Sequence, residues 1–523
     1  MDRNGASVRL ALGAAVALPG AFLGLFFAYP LGSILARGLT GDGSVELRPG
    51  VLWFSVWQAG ASTALTLALG LPLAWVVARF DFPGRALVRA LVVVPFVLPT
   101  VVVATAFLTL LPEGQQRGIL PILAAHVFFN VAIVVRIVGG YWARIHPRLW
   151  EAAATLGAGP ASRLRTVTLP VLAPALAAAA ALVFLFSFTS FGVVLILGGP
   201  TRSTLETEIY YQAARMFDLR AAAVLSLVQL GCVGAIVGVA GRLDRCVAGA
   251  RMVAPESDVL VRAQGRQRVV VAGILGAAAV GLGAPLAALV ERSLSAPGGY
   301  GLTFYRALGE ETPALLVVPW RAALNSLAFA AVATGMALVV GGIVAAAVAR
   351  SRATWLDQFA MLPLGASAVM LGYGFVIAFD DPPLDLRSSP LLVPVAQALV
   401  AVPFVVRILT SALRSIDERL RDAAAVLGAS RARVIREIDL PLVLRSFGLA
   451  AGFAFAISLG DFGATVFVAR SDWPTVPVAI FRFLGRPGAE NAGEAAALSV
   501  VLMTMTMAAM LAADRLGGGR RGL

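Results

Sequence analysis

Two stretches decide how the rest of this sequence is read. Residues 151–170 are EAAATLGAGPASRLRTVTLP and residues 422–441 are DAAAVLGASRARVIREIDLP. Each begins with an acid and three Ala, which suits a helix with the acid in its first turn. Leu149, Ala153 and Leu156 fall on one helical face, as do Leu420, Ala424 and Leu427 in the second copy. Gly157 and Gly428 are natural places for these helices to end. A second short helix follows, with Ile435 and Ile438 on one side and Arg433 and Arg436 on others. Leu-Pro then leads into an apolar run. Two short helices with small residues on an apolar face fit a partner groove; the plainer alternative is a surface helix lying on its own domain.

The likeness extends outward from these stretches at a constant shift of 271 residues. Val134-Val135-Arg136-Ile137 overlays Val405-Val406-Arg407-Ile408, Phe184 overlays Phe455, Ser187 overlays Ser458, and Phe191-Gly192 overlays Phe462-Gly463. Shared Ala content explains matching Ala triplets, but not Arg, Gly, Leu-Pro and Phe-Gly all in register. The chain reads as a duplication, with a first repeat over 1–245, a linker over 246–267 and a second repeat over 268–523. The paired loops occupy 142–171 and 414–443.

Composition says where these repeats sit. Of 523 residues, 59% are apolar and only 14% charged, against about half and a quarter in soluble domains. Mean hydropathy is +0.86. Apolar runs lie at roughly 10–36, 57–78, 91–111, 120–141, 172–197 and 221–241, then 269–290, 323–349, 359–379, 391–413, 444–469 and 495–513. Each is long enough to cross a bilayer as a helix, and ~20 apolar residues suffice. The expected fold is an all-α polytopic membrane protein with about 12 transmembrane helices in two tandem six-helix repeats. An even number of spans per repeat gives both copies the same orientation, so they pack about an axis along the membrane normal. The first run exceeds a signal-peptide core and ends in no small-x-small site, so it is expected to remain as a span.

All 42 basic residues are Arg and none is Lys. With both termini inside, the inside segments hold about two Arg for each one outside, as the positive-inside rule requires. These include Arg3, Arg9, Arg520 and Arg521 and the Arg-rich linker. Arg136 and Arg407 are read as snorkelling to the inner interface. The net charge of +13 is therefore read as cytoplasmic loops and not as nucleic-acid binding. Without Lys there is no P-loop and no Schiff base. Cys232 and Cys246 form no disulfide framework or metal spacing. The Gly pair at 198–199 and the Gly triplet at 517–519 read as span exits or tail. We expect no catalytic triad, no metal site and no cofactor.

The acid-Ala-Ala, Gly, nine residues, then branched aliphatic-x-Leu-Pro pattern resembles the coupling loop of permeases in binding-protein-dependent ABC importers. The resemblance implies that each loop docks on a separate cytoplasmic ATPase subunit, two copies in all, and that an extracytoplasmic binding protein delivers the substrate. Glu151, Ala152 and Gly157, with Asp422, Ala423 and Gly428, are then the ATPase-coupling residues. Asp422 departs from the usual Glu, and Val167 from Ile. The resemblance also implies a multi-pass protein of a prokaryotic inner or plasma membrane, with both termini cytoplasmic. Two stretches carry it further. Residues 186–213, FSFTSFGVVLILGGPTRSTLETEIYYQA, and residues 457–485, ISLGDFGATVFVARSDWPTVPVAIFRFLG, resemble the thiamine permease subfamily over nearly the whole chain. That implies transport of thiamine or its phosphates. Fused ferric-iron permeases are similar in the spans; sulfate, polyamine and molybdate permeases share the loop but carry one repeat per chain.

The residues themselves offer a pathway. Asp461 falls in the eleventh run, and an acid inside a membrane usually faces a cavity or a partner. Its repeat counterpart is Ser190. Together with Phe188, Phe191, Ser458 and Phe462 they come from two related helices near the axis. A carboxylate among aromatic faces suits a cationic aromatic ligand; the alternative is that Asp461 only ties helices together. His126, Asn130, Gln229, Asn325 and Gln397 are read as interhelical hydrogen-bond residues. The outside loops 198–220 and 470–493 are candidates for docking a binding protein, with Arg202, Glu206, Glu208, Arg482 and Arg486 as a solvated rim. The rival from another class is an ion-coupled secondary transporter, which would need several buried ionisable groups and no ATPase. An integral membrane enzyme would need clustered His, Cys or acids, and the chain's two His, His126 and His146, lie on separate segments.

Overall fold

The computed structural model describes residues 17–40, 48–146, 148–199, 201–247, 260–296, 298–351, 354–380 and 385–516. Most of the linker, the Gly517-Gly518-Gly519 tail and the terminal Arg3, Arg9, Arg520 and Arg521 lie outside them. The fold is all-α. In the first half, long apolar helices run over Ala17–Thr40 (span 1), Pro49–Arg79 (span 2), Ile119–Trp142 (span 4), Pro160–Phe188 (span 5) and Leu219–Val239 (span 6). In the second half they run over Arg266–Leu294 (span 7), Pro319–Ala349 (span 8), Leu392–Arg414 (span 10), Ile435–Gly460 (span 11) and Ala489–Arg515 (span 12).

Spans 3 and 9 correct the expectation of unbroken helices at 91–111 and 359–379. Span 3 is Arg85–Val97 followed by Thr100–Leu110, bent by 101°. Leu98 and Pro99 are extended, with ψ of 139° and 138°, because Pro disfavours helix in the residue before it and donates no hydrogen bond. Span 9 is Leu356–Pro363 followed by Ala368–Ala378, bent by 88°. There Ser367 restarts the helix as an N-cap, its hydroxyl accepting from Met370 N at 3.0 Å. Both breaks lie inside protein: Val101 to Ala104 and Val369 are buried, where irregular backbone at membrane depth is tolerated. Spans 5 and 11 also stop short of the expected 197 and 469, at Phe188 and Gly460.

The duplication persists in three dimensions at the same shift. Gly70 of span 2 lets Val134 approach so closely that a Cβ would sit 3.0 Å from it, and Gly341 of span 8 does the same for Val405 at 2.8 Å. Ser55 Oγ accepts from Leu205 N at 2.9 Å and Ser326 Oγ accepts from Val476 N at 2.8 Å. Wide five-residue helical turns fall at Leu164–Thr168 and Ile435–Asp439. Small residues at such crossings set how near two membrane helices come. Gly341→Ala is therefore expected to push spans 8 and 10 apart and cost about 1–3 kcal/mol as an overpacked core. A melting curve in detergent checks this, and an unchanged midpoint refutes it.

Each half's first helix lies on the other half. Phe26 of span 1 meets Phe375 and Phe379 of span 9, with ring centroids 6.4 and 5.8 Å apart. Gly374 faces Pro30 and Ile34 of the same helix. Conversely, Val271 of span 7 packs with Val76 and Phe80, and Ile274 and Leu275 pack beside Leu73 and Val131 of the first half. Near the end of span 2, Phe80 and Asp81 pair in parallel with Val261 and Arg262 at the end of the linker. This exchange and the pairing tie the halves into one body.

Candidate functional site

The first loop helix is Arg148–Thr155, with Glu151 in its first turn. Gly157 ends it at φ +82°. Ala158 N donates to Ala153 O at 3.0 Å and Gly157 N to Ala154 O at 2.9 Å, the paired bonds of a left-handed glycine cap. The second loop repeats this ending. Gly428 has φ +79°, Ala429 N donates to Ala424 O and Gly428 N to Ala425 O, both at 3.0 Å. A β-carbon is disfavoured at that φ, which is why Gly stands at both sites. The second helix corrects one detail. It runs Glu418–Val426 and is capped by Asp417, whose carboxylate accepts from Arg419 N at 3.0 Å. Asp422 is thus mid-helix and Glu418 holds the first turn, because the capping Asp sets the start four residues earlier than the acid-Ala-Ala-Ala pattern implies.

Both loops present the same surface. Glu151, Ala152, Asp422 and Ala423 are all exposed. Leu156 and Leu427, equivalent in the repeat, are each 87% exposed at the tip. Two apolar side chains held out at matched positions give each loop an exposed apolar tip.

A pair of side chains missed in the sequence holds each loop helix against the foot of the next span. Trp150 Nε1 donates to Thr168 Oγ at 2.8 Å, while the Arg79 guanidinium lies 4.1 Å over the Trp150 ring. At the equivalent positions, Arg421 Nε donates to Asp439 Oδ1 at 2.8 Å. The two elbows use different chemistry at one geometry; the only signal in the sequence is that these residues immediately precede the acid in both copies. Asp439 is buried, so Arg421→Ala is expected to cost about 1–3 kcal/mol. A melting curve in detergent checks this, and an unchanged midpoint would refute it.

The second element is a cavity of about 240 Å³ between the halves. Ser190, Phe191, Asp461 and Phe462 line it, together with Thr100 and His126. Phe191 and Phe462 stack with centroids 5.3 Å apart and planes 26° apart, so equivalent residues of the repeats meet there. Gly192 allows this approach, since a Cβ would lie 2.5 Å from Thr100 Oγ. Phe188 and Ser458 do not line the cavity. Phe188 stacks on Phe184 at 6.1 Å, and the buried Ser458 hydroxyl has no partner among the described residues.

Asp461 is not in the middle of a helix, as the apolar run implied. It follows the end of span 11 with ψ 121°. Its Oδ2 accepts from Thr465 N at 3.1 Å, and its carbonyl accepts from Thr465 Oγ at 2.7 Å. The carboxylate therefore caps the short helix Thr465–Val468 while facing the cavity. Hydropathy missed the break because the residues on both sides of it are apolar.

The loops expected to form a solvated rim are also corrected. Leu205–Ala214 and Val476–Leu484 are helices packed inside the bundle. Glu206 is 1% exposed, and its Oε1 accepts from Gln229 Nε2; Gln212 Nε2 donates to Glu208 Oε1 at 2.8 Å. A capping box of Thr204 and Thr207 starts the first of these. Arg202 and Arg486 are exposed as expected, Arg482 is half-buried, and flanking residues such as Met216, Phe217 and Trp473 are exposed too. The interhelical role of the other polar residues is seen in His126 with Ser62, Asn130 with Ser187, and Asn325 with the carbonyl of Pro474.

Comparison with known proteins agrees with this architecture. The family described as binding-protein-dependent transport system inner membrane component matches twice, at residues 70–242 and 337–517. The thiamine transport system permease protein of Brucella abortus (strain 2308) is 30% identical over 496 residues, covering 90% of this chain and 88% of that one. The protein of the same description from Escherichia coli (strain K12) is 27% identical over 482 residues, covering 87% and 86%. A putative 2-aminoethylphosphonate transport system permease protein of Salmonella paratyphi A (strain ATCC 9150 / SARB42) is 30% identical over 241 residues, 44% of this chain but 88% of its own length. With two family repeats and up to twelve candidate spans, the chain belongs to the binding-protein-dependent inner membrane components and is the permease of an ABC importer.

Proposed function

We propose that this permease carries thiamine or its phosphates. The observation that supports the substrate best is the end-to-end similarity to thiamine permeases, over 90% of the chain for the Brucella protein. The cavity chemistry agrees. A carboxylate beside two stacked aromatic rings attracts a flat cation such as a thiazolium by charge and cation–π interaction.

In the same reading, two copies of an ATPase bind the paired loops through Glu151, Ala152 and Gly157 and through Asp422, Ala423 and Gly428. The loop end of the bundle and both termini face the cytoplasm, in line with the Arg distribution. A binding protein docks at the opposite end. ATP-driven closure of the two ATPases moves the loop helices, and the elbows at Trp150 and Arg421 pass that motion to spans 5 and 11. The repeats then rock between outward-open and inward-open around the axial cavity. Ser190, Phe191, Asp461 and Phe462 meet the substrate, while Phe188 and Ser458 support the helices behind them.

The test is uptake of labelled thiamine into proteoliposomes holding this chain with its ATPase and binding protein. ATP-dependent thiamine uptake is expected. Uptake of ferric iron alone would keep the importer and discard thiamine. Uptake driven by an ion gradient without ATPase would sink the coupling scheme and favour a secondary transporter.

A further inference from the structure

The cavity wall contributed by span 4 is polar in a way the thiamine reading has not used. His126 and Asn130 are one helical turn apart on the same face and both line the cavity. They are 2% and 1% exposed. Each spends one polar atom on holding helices. His126 Nδ1 lies 2.9 Å from Ser62 Oγ, and Asn130 Nδ2 donates to Ser187 Oγ at 3.3 Å. Each keeps a second polar atom with no partner among the described residues, His126 Nε2 and Asn130 Oδ1. Buried polar atoms are nearly always satisfied, so two orphans side by side at a cavity call for a ligand that supplies both bonds.

The repeat sharpens the point. At the equivalent positions span 10 carries Gln397 and Ala401, and it offers Val400 to the cavity. Gln397 is likewise buried, with Oε1 unpartnered among the described residues, but it does not line the cavity, so only the pair on span 4 faces it. In the tautomer in which the Ser62 hydroxyl donates to Nδ1, the imidazole proton sits on Nε2. Nε2–H then donates and Asn130 Oδ1 accepts. That donor–acceptor pair complements a flat edge with an acceptor nitrogen next to an amino group. At about 240 Å³, the cavity is smaller than the ~300–1,000 Å³ that enclose a drug-sized ligand, so its occupant is small.

We propose that His126 and Asn130 form a hydrogen-bonding subsite for the amidine edge of a nitrogen heterocycle, which in thiamine is the aminopyrimidine ring. This rests on the thiamine reading and deepens it: Asp461 and the Phe191–Phe462 stack take the cationic ring, and span 4 reads the neutral one. A site that hydrogen-bonds a particular group rejects the analogue that lacks it.

The experiment measures uptake of thiamine and of oxythiamine, whose amino group is replaced by oxygen, in the reconstituted complex. One binding protein serves every variant, so its own selectivity cancels. Asn130→Leu and His126→Leu are expected to lower the preference for thiamine over oxythiamine about tenfold each. Asn130→Asp keeps the acceptor and His126→Gln keeps a donor, so both should retain most of the preference; these two also serve where a Leu variant does not fold. Wild-type preference in the Leu variants, or in both conservative variants an equal loss, overturns the subsite while leaving thiamine transport standing. A wild-type complex that carries no thiamine overturns both readings.

Discussion

Reversing charge at both loop helices, Glu151→Arg with Asp422→Arg, is expected to abolish ATP-dependent uptake, lowering it by at least ~100-fold. Glu151 and Asp422 are both exposed on the loop surface. Neither is among the ion pairs of the described residues, so no such contact within the fold explains them. They stand within a few residues of Leu156 and Leu427, which are among the most exposed apolar side chains of the molecule. Breaking one hydrogen-bonded charge pair at an interface costs about 2–5 kcal/mol, and reversal replaces attraction with repulsion at two contacts at once. Because the acids lie at the surface, melting of the permease alone should move by no more than about 0.5 kcal/mol. That separates lost docking from lost folding. The single changes should be unequal. Asp422 is a methylene shorter than Glu151 and sits mid-helix, so Asp422→Arg is expected to cost less than Glu151→Arg. Association with the ATPase is read by pull-down and transport by uptake; a double variant that still pumps would refute the docking role of these helices.

The sequence made the skeleton legible because both of its signals are chemical requirements. Apolar length sufficient to cross a bilayer marks every span, and the shift of 271 residues carries equivalent contacts such as Ser55 with Leu205 and Ser326 with Val476. What stayed hidden is where apolar chain stops being helix. Hydropathy reads Leu98-Pro99 and Ser367 as continuous with their surroundings, although Pro99 is itself a break signal. It reads residues 205–214 as a loop because Glu206 and Glu208 lower the average, while the structure satisfies Glu206 with Gln229. The elbows were hidden for another reason. Trp150 with Thr168 and Arg421 with Asp439 share a geometry but no residue type, so identity across the repeat cannot find them. At the cavity, residue-type reasoning found Asp461, Ser190, Phe191 and Phe462. It put His126 and Asn130 down to helix packing, because only coordinates show that each has one atom bonded and one left over.

Asp461→Asn is expected to lower thiamine uptake at least about tenfold while leaving the fold intact, and the reason lies in its double position. The carboxylate caps Thr465–Val468 through Thr465 N and also lines the axial cavity. An Asn amide oxygen accepts from Thr465 N as the carboxylate does, whereas Ala loses that bond, worth roughly 1 kcal/mol. The Asn variant therefore keeps the cap and removes only the charge; the Ala variant removes both. If charge selects a cationic substrate, both variants lose uptake and only Ala melts earlier. If Asp461 matters only as a cap, Asn transports like wild type and Ala alone is impaired, which would remove the carboxylate from the pathway. The position across the axis offers the converse. Ser190 faces the same cavity from the first half, so Ser190→Asp combined with Asp461→Asn restores a charge on the opposite wall. Partial recovery of uptake in that double variant is expected if the cavity needs a negative charge between Phe191 and Phe462. No recovery, with both proteins folded, would mean that the charge must stand where the cap holds it, next to the break after span 11.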